Sequence, residues 1–406
     1  MMRILHVIQT LDPAAGGPPV VAARLAAAQA AAGHEVTIAS YAAPDAREAV
    51  ERALTQVPHF RGVRRHDLPP TAGAFDRMFA RSTGRALEAV TAGQDVLHLH
   101  GVWDPVLRAA ASVASARSTP YAVAAHGMLD PWSLSQSRLK KRLALALAYR
   151  HMLDNAAFVQ ALNDEERRLM KPLGLKSPVV VIPNGVFLEE FEQLPPPDTF
   201  RRSHPALGDA PYVLFLSRLH HKKGLDYLAD AFALLARRRP ELHLVVAGPD
   251  AGERASFERQ VAGAGLSNKV HLVGPVYGGE KVAALAGAAC LCLPSRQEGF
   301  SMAVTEAMAC GLPVVISDAC HFPEVAEAGA GEVTPLEPQA IADALDRVTS
   351  DPQRAKQMGD AGREMVRTRY TWPRIAEECV RAYEQAKRGI TGITGITKPE
   401  ARMTNQ

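Results

Sequence analysis

Two glutamates bracket the segment in which this chain shows its clearest chemical intent, Glu298-Gly-Phe-Ser-Met-Ala-Val-Thr-Glu306. The apolar run Cys290–Pro294 before it reads as a buried strand. Ser295 to Gly299 is then the loop, and Ser301 is placed to cap a helix that starts at Met302 and is stopped by Gly311, with Pro313 just beyond. The first amides of such a helix have no internal partner. With the positive end of the helix dipole they form an anion site. Glu298 stands in front of that site, and Glu306 lies about a turn inside the helix. Carboxylates are poor phosphate ligands but accept paired sugar hydroxyls well. A phosphate on the amides, flanked by hydroxyls on the two carboxylates, describes a nucleotide sugar. The plainer reading is a capped surface helix with two solvated acids. The strand–loop–helix setting and the Glu-Gly-Phe turn weigh against it.

A second constellation is Phe215-Leu-Ser-Arg-Leu-His-His-Lys-Lys-Gly224. It sets Arg218, Lys222 and Lys223 between another apolar strand and the start of a helix. Cations are unfavourable near a helix N-terminus, so a merely solvated basic start needs an explanation that a bound phosphate supplies. Gly16-Gly17 sits between the first strand and its helix, where glycine lets the backbone approach a diphosphate closely. Pro18 and Pro19 suit a first helical turn but offer no N–H donors. Alone, a Gly-Gly pair is an ordinary turn. His126-Gly127 follows the strand Tyr121–Ala125. His98 and His100 flank another strand end and read as structural residues, with a place on an acceptor surface as the alternative.

The Glu298–Glu306 segment resembles the E-x7-E motif of the large retaining glycosyltransferase family with the GT-B fold, family 4. The Phe215–Gly224 segment resembles its companion motif. The resemblance covers nearly the whole chain and is stronger in the second half. It implies that Arg218 and Lys223 neutralise the donor diphosphate, Lys223 rather than Lys222 because the family lysine directly precedes glycine. It implies that Glu306 binds the ribose hydroxyls and Glu298 the hydroxyls of the transferred hexose. Gly299, Phe300, Ser301 and Met302 would offer main-chain groups to sugar and phosphate. The turn Gly274-Pro-Val276-Tyr277 would meet the base through its backbone. Gly16 and Gly17 correspond to the family's glycine-rich loop on the far side of the donor, and His126 to a histidine beside the reacting sugar. Family members usually have glycine where this chain has Ser217. Asn184-Gly185 matches a turn near the domain boundary. The run His126-Gly-Met-Leu-Asp-Pro-Trp132 and the basic helix after it look like bacterial exopolysaccharide and O-antigen glycosyltransferases, which implies an acceptor sugar that can be lipid-linked.

The elements that must position these residues alternate between strand and helix, the pattern of parallel sheets with crossover helices. The chain has 406 residues, too long for one core. Strands are expected at Arg3–Ile8, Glu35–Ser40, Asp95–His100, Tyr121–Ala125, Phe158–Ala161 and Val179–Ile182, with a long helix over Ser133–Leu153. The Pro195-Pro196-Pro197 run removes three donors and reads as a linker. A second alternation follows, with strands at Tyr212–Ser217, Leu242–Ala247, Val270–Val273, Cys290–Pro294 and Pro313–Ile316. The expected fold class is therefore α/β: two Rossmann-like doubly wound domains facing across a cleft, the GT-B arrangement. The expected domains are 1–193 on the acceptor side, a linker at 194–211, 212–370 for the nucleotide sugar, a helix at 371–388 returning to the first domain, and a disordered tail at 389–406 that repeats Gly-Ile-Thr.

A net charge of +3 makes no case for a nucleic-acid partner. No apolar run approaches the roughly 20 residues that span a bilayer, and the first strand is too short for a signal-peptide core, so a cytoplasmic enzyme is expected. The five cysteines lack the paired spacing of a zinc site. No DxD-like motif marks a metal-bound donor. Arg218, Lys223 and the helix amides can stabilise the leaving diphosphate instead, so no metal cofactor is expected beside the UDP- or GDP-sugar. The segment Arg138–Arg150, basic at its start and apolar behind, can lie on an anionic membrane surface, or it can be a buried crossover helix with a solvated basic start. A nicotinamide dehydrogenase would need G-x-G-x-x-G after the first strand, which is missing. An epimerase or hydrolase on the same fold, and a non-catalytic sugar-nucleotide-binding subunit, are the remaining rivals.

Overall fold

A computed structural model describes residues 1–42, 44–70, 81–135 and 138–389. The Gly-Ile-Thr tail lies outside the described residues from position 390 on. The chain divides into two compact units, with the boundary at Asn184–Gly185 and the C-terminal segment from Trp372 belonging to the first.

In the first unit the strands are β1 (Arg3–Val7), β2 (Glu35–Tyr41), β3 (Val63–Leu68), β4 (Val96–His100), β5 (Tyr121–Ala124), β6 (Phe158–Ala161) and β7 (Val179–Val181). They form one parallel sheet in the order β3-β2-β1-β4-β5-β6-β7. The central strands are buried on both faces and so read as continuous apolar runs. Edge strand β3 was not legible in that way. Its sequence, Val-Arg-Arg-His-Asp-Leu, buries only the two ends, and the charges between suit an exposed edge. The helix Trp372–Lys387 packs on the helix Gly17–Ala31, burying Trp372, Ile375, Cys379 and Tyr383.

In the second unit the strands are β8 (Tyr212–Leu216), β9 (His243–Ala247), β10 (Val270–Gly274), β11 (Cys290–Leu293), β12 (Val314–Ser317) and β13 (Gly331–Thr334). This sheet is also parallel, in the order β10-β9-β8-β11-β12-β13. The proline run does not open a free linker over 194–211. A short helix, Thr199–Ser203, follows it, and Phe200 and Leu207 enter the core of the second unit. The prolines fix φ, but the two aromatic and aliphatic anchors behind them bury enough apolar surface to dock the segment. All five cysteines are buried and free, so none is a surface thiol.

The helix expected over Ser133–Leu153 is broken into Pro131–Ser135, Arg138–Ala144, a π-helical turn at Leu145–Tyr149 and Arg150–Asp154. It is not a buried crossover. Leu139, Leu143 and Leu147 are 83%, 61% and 77% exposed and share one helical face with exposed Arg142 and Ala146. Tyr149 is buried on the other side. Among the described residues no helix is long and apolar enough to cross a membrane.

Candidate functional site

In a doubly wound sheet the strand order reverses beside the first strand, and the loops leaving the carboxyl ends at that point diverge and leave room for a ligand. In the second unit the reversal falls between β8 and β11. The loop after β8 carries Arg218 and Lys223, and the loop after β11 carries Glu298. Two motifs distant in sequence are thus neighbours because their strands pair.

Lys223 Nζ meets Glu298 Oε1 at 2.5 Å, and Ser295 Oγ donates to the same oxygen at 2.8 Å. Glu298 N–H donates to Ala319 C=O at 3.2 Å. The two loops are tied further back by Arg296, which donates to Asp226 through both terminal nitrogens and to the His221 carbonyl, and lies over the Tyr227 ring. Lys222 turns aside to Gln297, at 2.9 Å, and is not on Glu298. Arg218 is exposed, and no partner for it is found among the described residues.

The backbone here tolerates no side chain at two glycines. Gly224 has φ +67°, and a Cβ would stand 1.9 Å from the Pro294 carbonyl oxygen. Gly248 has φ +151°, and a Cβ would stand 1.8 Å from the carbonyl oxygen of Ser217. The approach of the 217–224 loop to its neighbouring strand ends therefore depends on glycine.

Ser301 caps the helix Met302–Ala309, its hydroxyl accepting from Val304 N–H at 3.4 Å. Glu306 is buried within that helix and pairs with Lys281 Nζ at 2.7 Å. Lys281 was not singled out from the sequence. It lies on the helix Gly278–Ala286, which follows the turn containing Val276, and its only sequence signal is that turn. Val276 itself is buried, so any contact it makes with a ligand is through its backbone. The Phe300 ring is held by Phe322 and Tyr370, at centroid distances of 5.4 and 5.8 Å, and anchors the loop. Gly299 precedes it, and Met302 opens the helix, partly exposed.

In the first unit, Gly16 has φ +105° and caps the helix that begins at Gly17, with Pro18 and Pro19 in its first turn. His126 follows β5 in the left-handed region, φ +50°, unusual for a residue with a Cβ. The turn is braced by buried Glu166, whose two carboxylate oxygens accept from Gly127 N–H at 2.7 Å and Leu162 N–H at 2.6 Å. Burial pushes the Glu166 carboxyl up to about 7 against those bonds. His98 and His100 do not line a surface. Both are buried in β4 beside His6 of β1. Burial holds His6 and His126 down at about 4, and His98 and His100 well below the ordinary range. A cavity of about 490 Å³ opens at the carboxyl ends of β1 to β3, lined by Tyr41, Arg47, Glu51, Arg65 and Asp67 among others.

Residues 197–365 match the family model for glycosyl transferases group 1, and residues 16–185 match the glycosyl transferase 4-like domain. The chain thus carries a glycosyl transferase 4-like domain and a glycosyl transferases group 1 domain. It is 36% identical over 169 residues to an MMP alpha-(1->4)-mannosyltransferase of Mycolicibacterium hassiacum, covering 40% of each chain. It is 33% identical over 229 residues to a phosphatidyl-myo-inositol mannosyltransferase of Mycobacterium leprae, covering 55% of this chain and 58% of that protein. The chain thus spans about half the length of these relatives. It is 28% identical to a D-inositol 3-phosphate glycosyltransferase of Jonesia denitrificans over 97% of both. Among solved structures, Anabaena HepE in complex with UDP and glucose matches at a TM-score of 0.76 and 21% identity, over 95% of this chain and all of that one. The two parallel α/β units are those of the GT-B fold.

Proposed function

We propose that the chain transfers a hexose-type sugar from a nucleoside-diphosphate sugar to an acceptor hydroxyl, with retention and without a metal ion. The observation that carries this reading is the meeting of the β8 and β11 loops, where Lys223 and Glu298 pair beside the capped helix that holds Glu306. Arg218, Lys223 and the first amides of the helix Met302–Ala309 stabilise the diphosphate as it leaves. The C1–O bond to phosphate breaks, the acceptor oxygen bonds C1 on the same face, and its proton passes to the departing phosphate oxygen. Incubation with a panel of UDP- and GDP-sugars and candidate acceptors, with mass spectrometry of the products, tests it. Sugar lost to water alone, or an epimerised donor, favours the rival classes. Because protein cations and amides do the metal's work, activity is expected to survive EDTA with little loss. Complete loss restored by Mg²⁺ or Mn²⁺ refutes that part.

The two glutamates divide the donor between them in this reading. Glu306→Ala should weaken free nucleoside diphosphate and full donor alike. Glu298→Ala should spare the nucleoside diphosphate and reduce transfer. One carboxylate–hydroxyl contact is worth about 1.5–3 kcal/mol, tenfold or more, within reach of calorimetry. Equal weakening of nucleoside diphosphate by both changes would reverse the placement.

The exposed leucine face favours an acceptor held at a membrane. No acidic residue occurs between Asp130 and Asp154, while Arg138, Lys140, Lys141, Arg142 and Arg150 do. Leucines at one helical face with basic neighbours suit an anionic lipid surface. Changing Leu139, Leu143 and Leu147 together to serine should cut co-sedimentation with phosphatidylglycerol-containing vesicles by about tenfold or more. Unchanged partitioning would remove the membrane from the proposal.

A further inference from the structure

Asp104 stands at the start of a helix and does not cap it. The loop 101–104 leaves the carboxyl end of β4, beside the point where the strand order of the first sheet reverses between β1 and β4. Asp104 is the N-cap of the helix Pro105–Ala116 and has the extended backbone of a cap, φ −91° and ψ 128°. A capping aspartate lends its carboxylate to the N–H of the second or third helical residue. Here Pro105 has no N–H, and Leu107 N–H goes to the Asp104 backbone carbonyl at 3.0 Å. The carboxylate is left over. No hydrogen bond or ion pair to it is found among the described residues, and burial pushes the carboxyl up. A half-buried carboxylate that no protein group meets costs stability, and nothing inside the fold accounts for it.

Gly101 keeps one side of that carboxylate clear. It has φ +109°, and a Cβ there would stand 3.5 Å from Asp104 Oδ2 and 3.6 Å from Met128 Cε, in the loop after β5. Any side chain at 101 would lie against the oxygen, whereas glycine leaves it open to an approaching ligand. The residue before Asp104, Trp103, is tied to the helical segment that carries the exposed leucines. Tyr149 donates its hydroxyl hydrogen to the Trp103 carbonyl at 2.6 Å, and the two rings meet edge to face at 5.7 Å. Lys141 Nζ lies over the Trp103 ring at 5.7 Å, and the Arg108 guanidinium over the Tyr149 ring at 5.9 Å. Asp104 is therefore one residue away from the packing that anchors the segment bearing Leu139, Leu143 and Leu147.

We propose that Asp104 binds the acceptor, taking hydrogen bonds from adjacent hydroxyls of a neutral sugar ring carried on an alkyl chain. Calling that sugar the acceptor rests on the sugar-transfer reading. The ligand class follows from the surroundings. An ionised carboxylate only accepts, so the ligand must donate, and two carboxylate oxygens match a pair of neighbouring hydroxyls. A phosphate or carboxylate ligand is repelled by Asp104 itself. A cationic ligand is disfavoured by Lys141 and Arg108, which already place positive charge on the rings beside the loop. A neutral polyol meets neither penalty. The Trp103–Tyr149 contact joins this carboxylate to the segment with the exposed leucine face, which offers the alkyl part an apolar surface. Asp104 holds the acceptor and takes no proton from it, since the departing phosphate oxygen does so.

Two measurements on the full chain test this. The first is the thermal midpoint of Asp104→Asn, which keeps the volume and removes the charge. Replacing a cap that holds its helix lowers the midpoint by a few degrees, whereas removing an unmet, half-buried charge should leave it equal or higher. The second is binding of n-octyl β-D-glucoside, n-octyl α-D-mannoside and n-octyl β-D-galactoside below their micellar concentrations, followed by tryptophan fluorescence. At least one should give a saturable change, weakened about tenfold or more in Asp104→Asn, because hydrogen bonds to a charged group are lost. Asp104→Ala, with the same expectation for binding, serves if circular dichroism shows Asp104→Asn misfolded. n-Octanol, the tail without the sugar, should give no saturable change. Calorimetric affinity for UDP and GDP should be the same in the variants as in the unchanged protein. A lowered midpoint in Asp104→Asn, no saturable change with any of the three hexosides, hexoside affinity unaltered in the variants, an equal response to n-octanol, or weakened UDP or GDP binding overturns the proposal. If the unchanged protein binds neither UDP nor GDP, the sugar-transfer reading fails while the midpoint and hexoside readouts stand, so the two readings fail separately.

Discussion

Lys223→Ala is expected to abolish most turnover and also to destabilise the second unit, whereas Arg218→Ala should do only the first. Both cations serve the departing diphosphate in the proposed reaction, and loss of such a contact costs about 2–4 kcal/mol, roughly thirty- to eight-hundredfold in rate. Their resting environments differ. Arg218 is exposed, so its removal leaves nothing behind. Lys223 and Glu298 retain only 15% and 8% side-chain exposure and neutralise one another. Removing the lysine leaves a carboxylate with little water and, among the described residues, the Ser295 hydroxyl alone donating to its side chain. The loss in stability should therefore be relieved when Glu298→Ala is added, a coupling of about 1–3 kcal/mol in a double-mutant cycle read by calorimetry. The same cycle with Arg218 should be additive within about 0.5 kcal/mol. Near-normal rates in both single variants would put the anion site elsewhere, and an additive Lys223–Glu298 cycle would dissolve the pair.

The strand, loop and capped helix around Glu298 and Glu306 were legible because each is local. Strand, loop, capped helix and glycine stop lie within one stretch from Cys290 to Gly311, and period and capping chemistry expose all of them. Alternation of strands and helices gave the two α/β units for the same reason. What escaped was set by packing between distant segments. Lys281 reaches Glu306 only because two helices lie side by side in the second unit, and nothing at Lys281 itself marks it. Strand β3 escaped because an edge strand need not be apolar. The proline run misled because φ restriction is visible in a sequence, whereas docking by Phe200 and Leu207 is not. The buried histidines left a trace in the sequence. His6, His98 and His100 each interrupt an apolar strand, and His98 and His100 alternate onto one face. A histidine inside a central parallel strand has to find a partner, and here His6 finds His100 and Gln29, His100 also finds His126, and His98 finds the Tyr383 hydroxyl. Tyr383 enters from the far end of the sequence, which no local pattern could reveal.

Mild acid should unfold the first unit well before the usual carboxylate range is reached. His6 and His126 are held near 4 in the fold, and His98 and His100 lower, against an ordinary value of 6.5. A base depressed in the folded state contributes stability that is complete above its unfolded value and is lost as pH falls toward the folded one. The window is thus from about 6.5 down to 4. For His6 alone the loss across it is about 3 kcal/mol at roughly 1.4 kcal/mol per unit, and the four rings are coupled, so their contributions do not simply add. Glu166 works the other way. Its folded value, raised to about 7, means that stability grows as pH falls from 7 toward 4.5, and burial raises Asp104 and Glu378 of the same unit in the same sense, so these carboxyls offset part of the loss from the histidines. All three tryptophans, Trp103, Trp132 and Trp372, belong to the first unit, so their fluorescence follows its unfolding apart from that of the second. Denaturant midpoints by fluorescence should fall steeply from pH 6.5 to 4.5, with more than one proton taken up on unfolding. His6→Asn, which cannot titrate, should begin less stable at pH 7.5 and lose less over the same interval. A flat profile in the unchanged protein would mean that the rings accept protons without leaving the fold, and that the core around β1 and β4 is far more open to water than their burial implies.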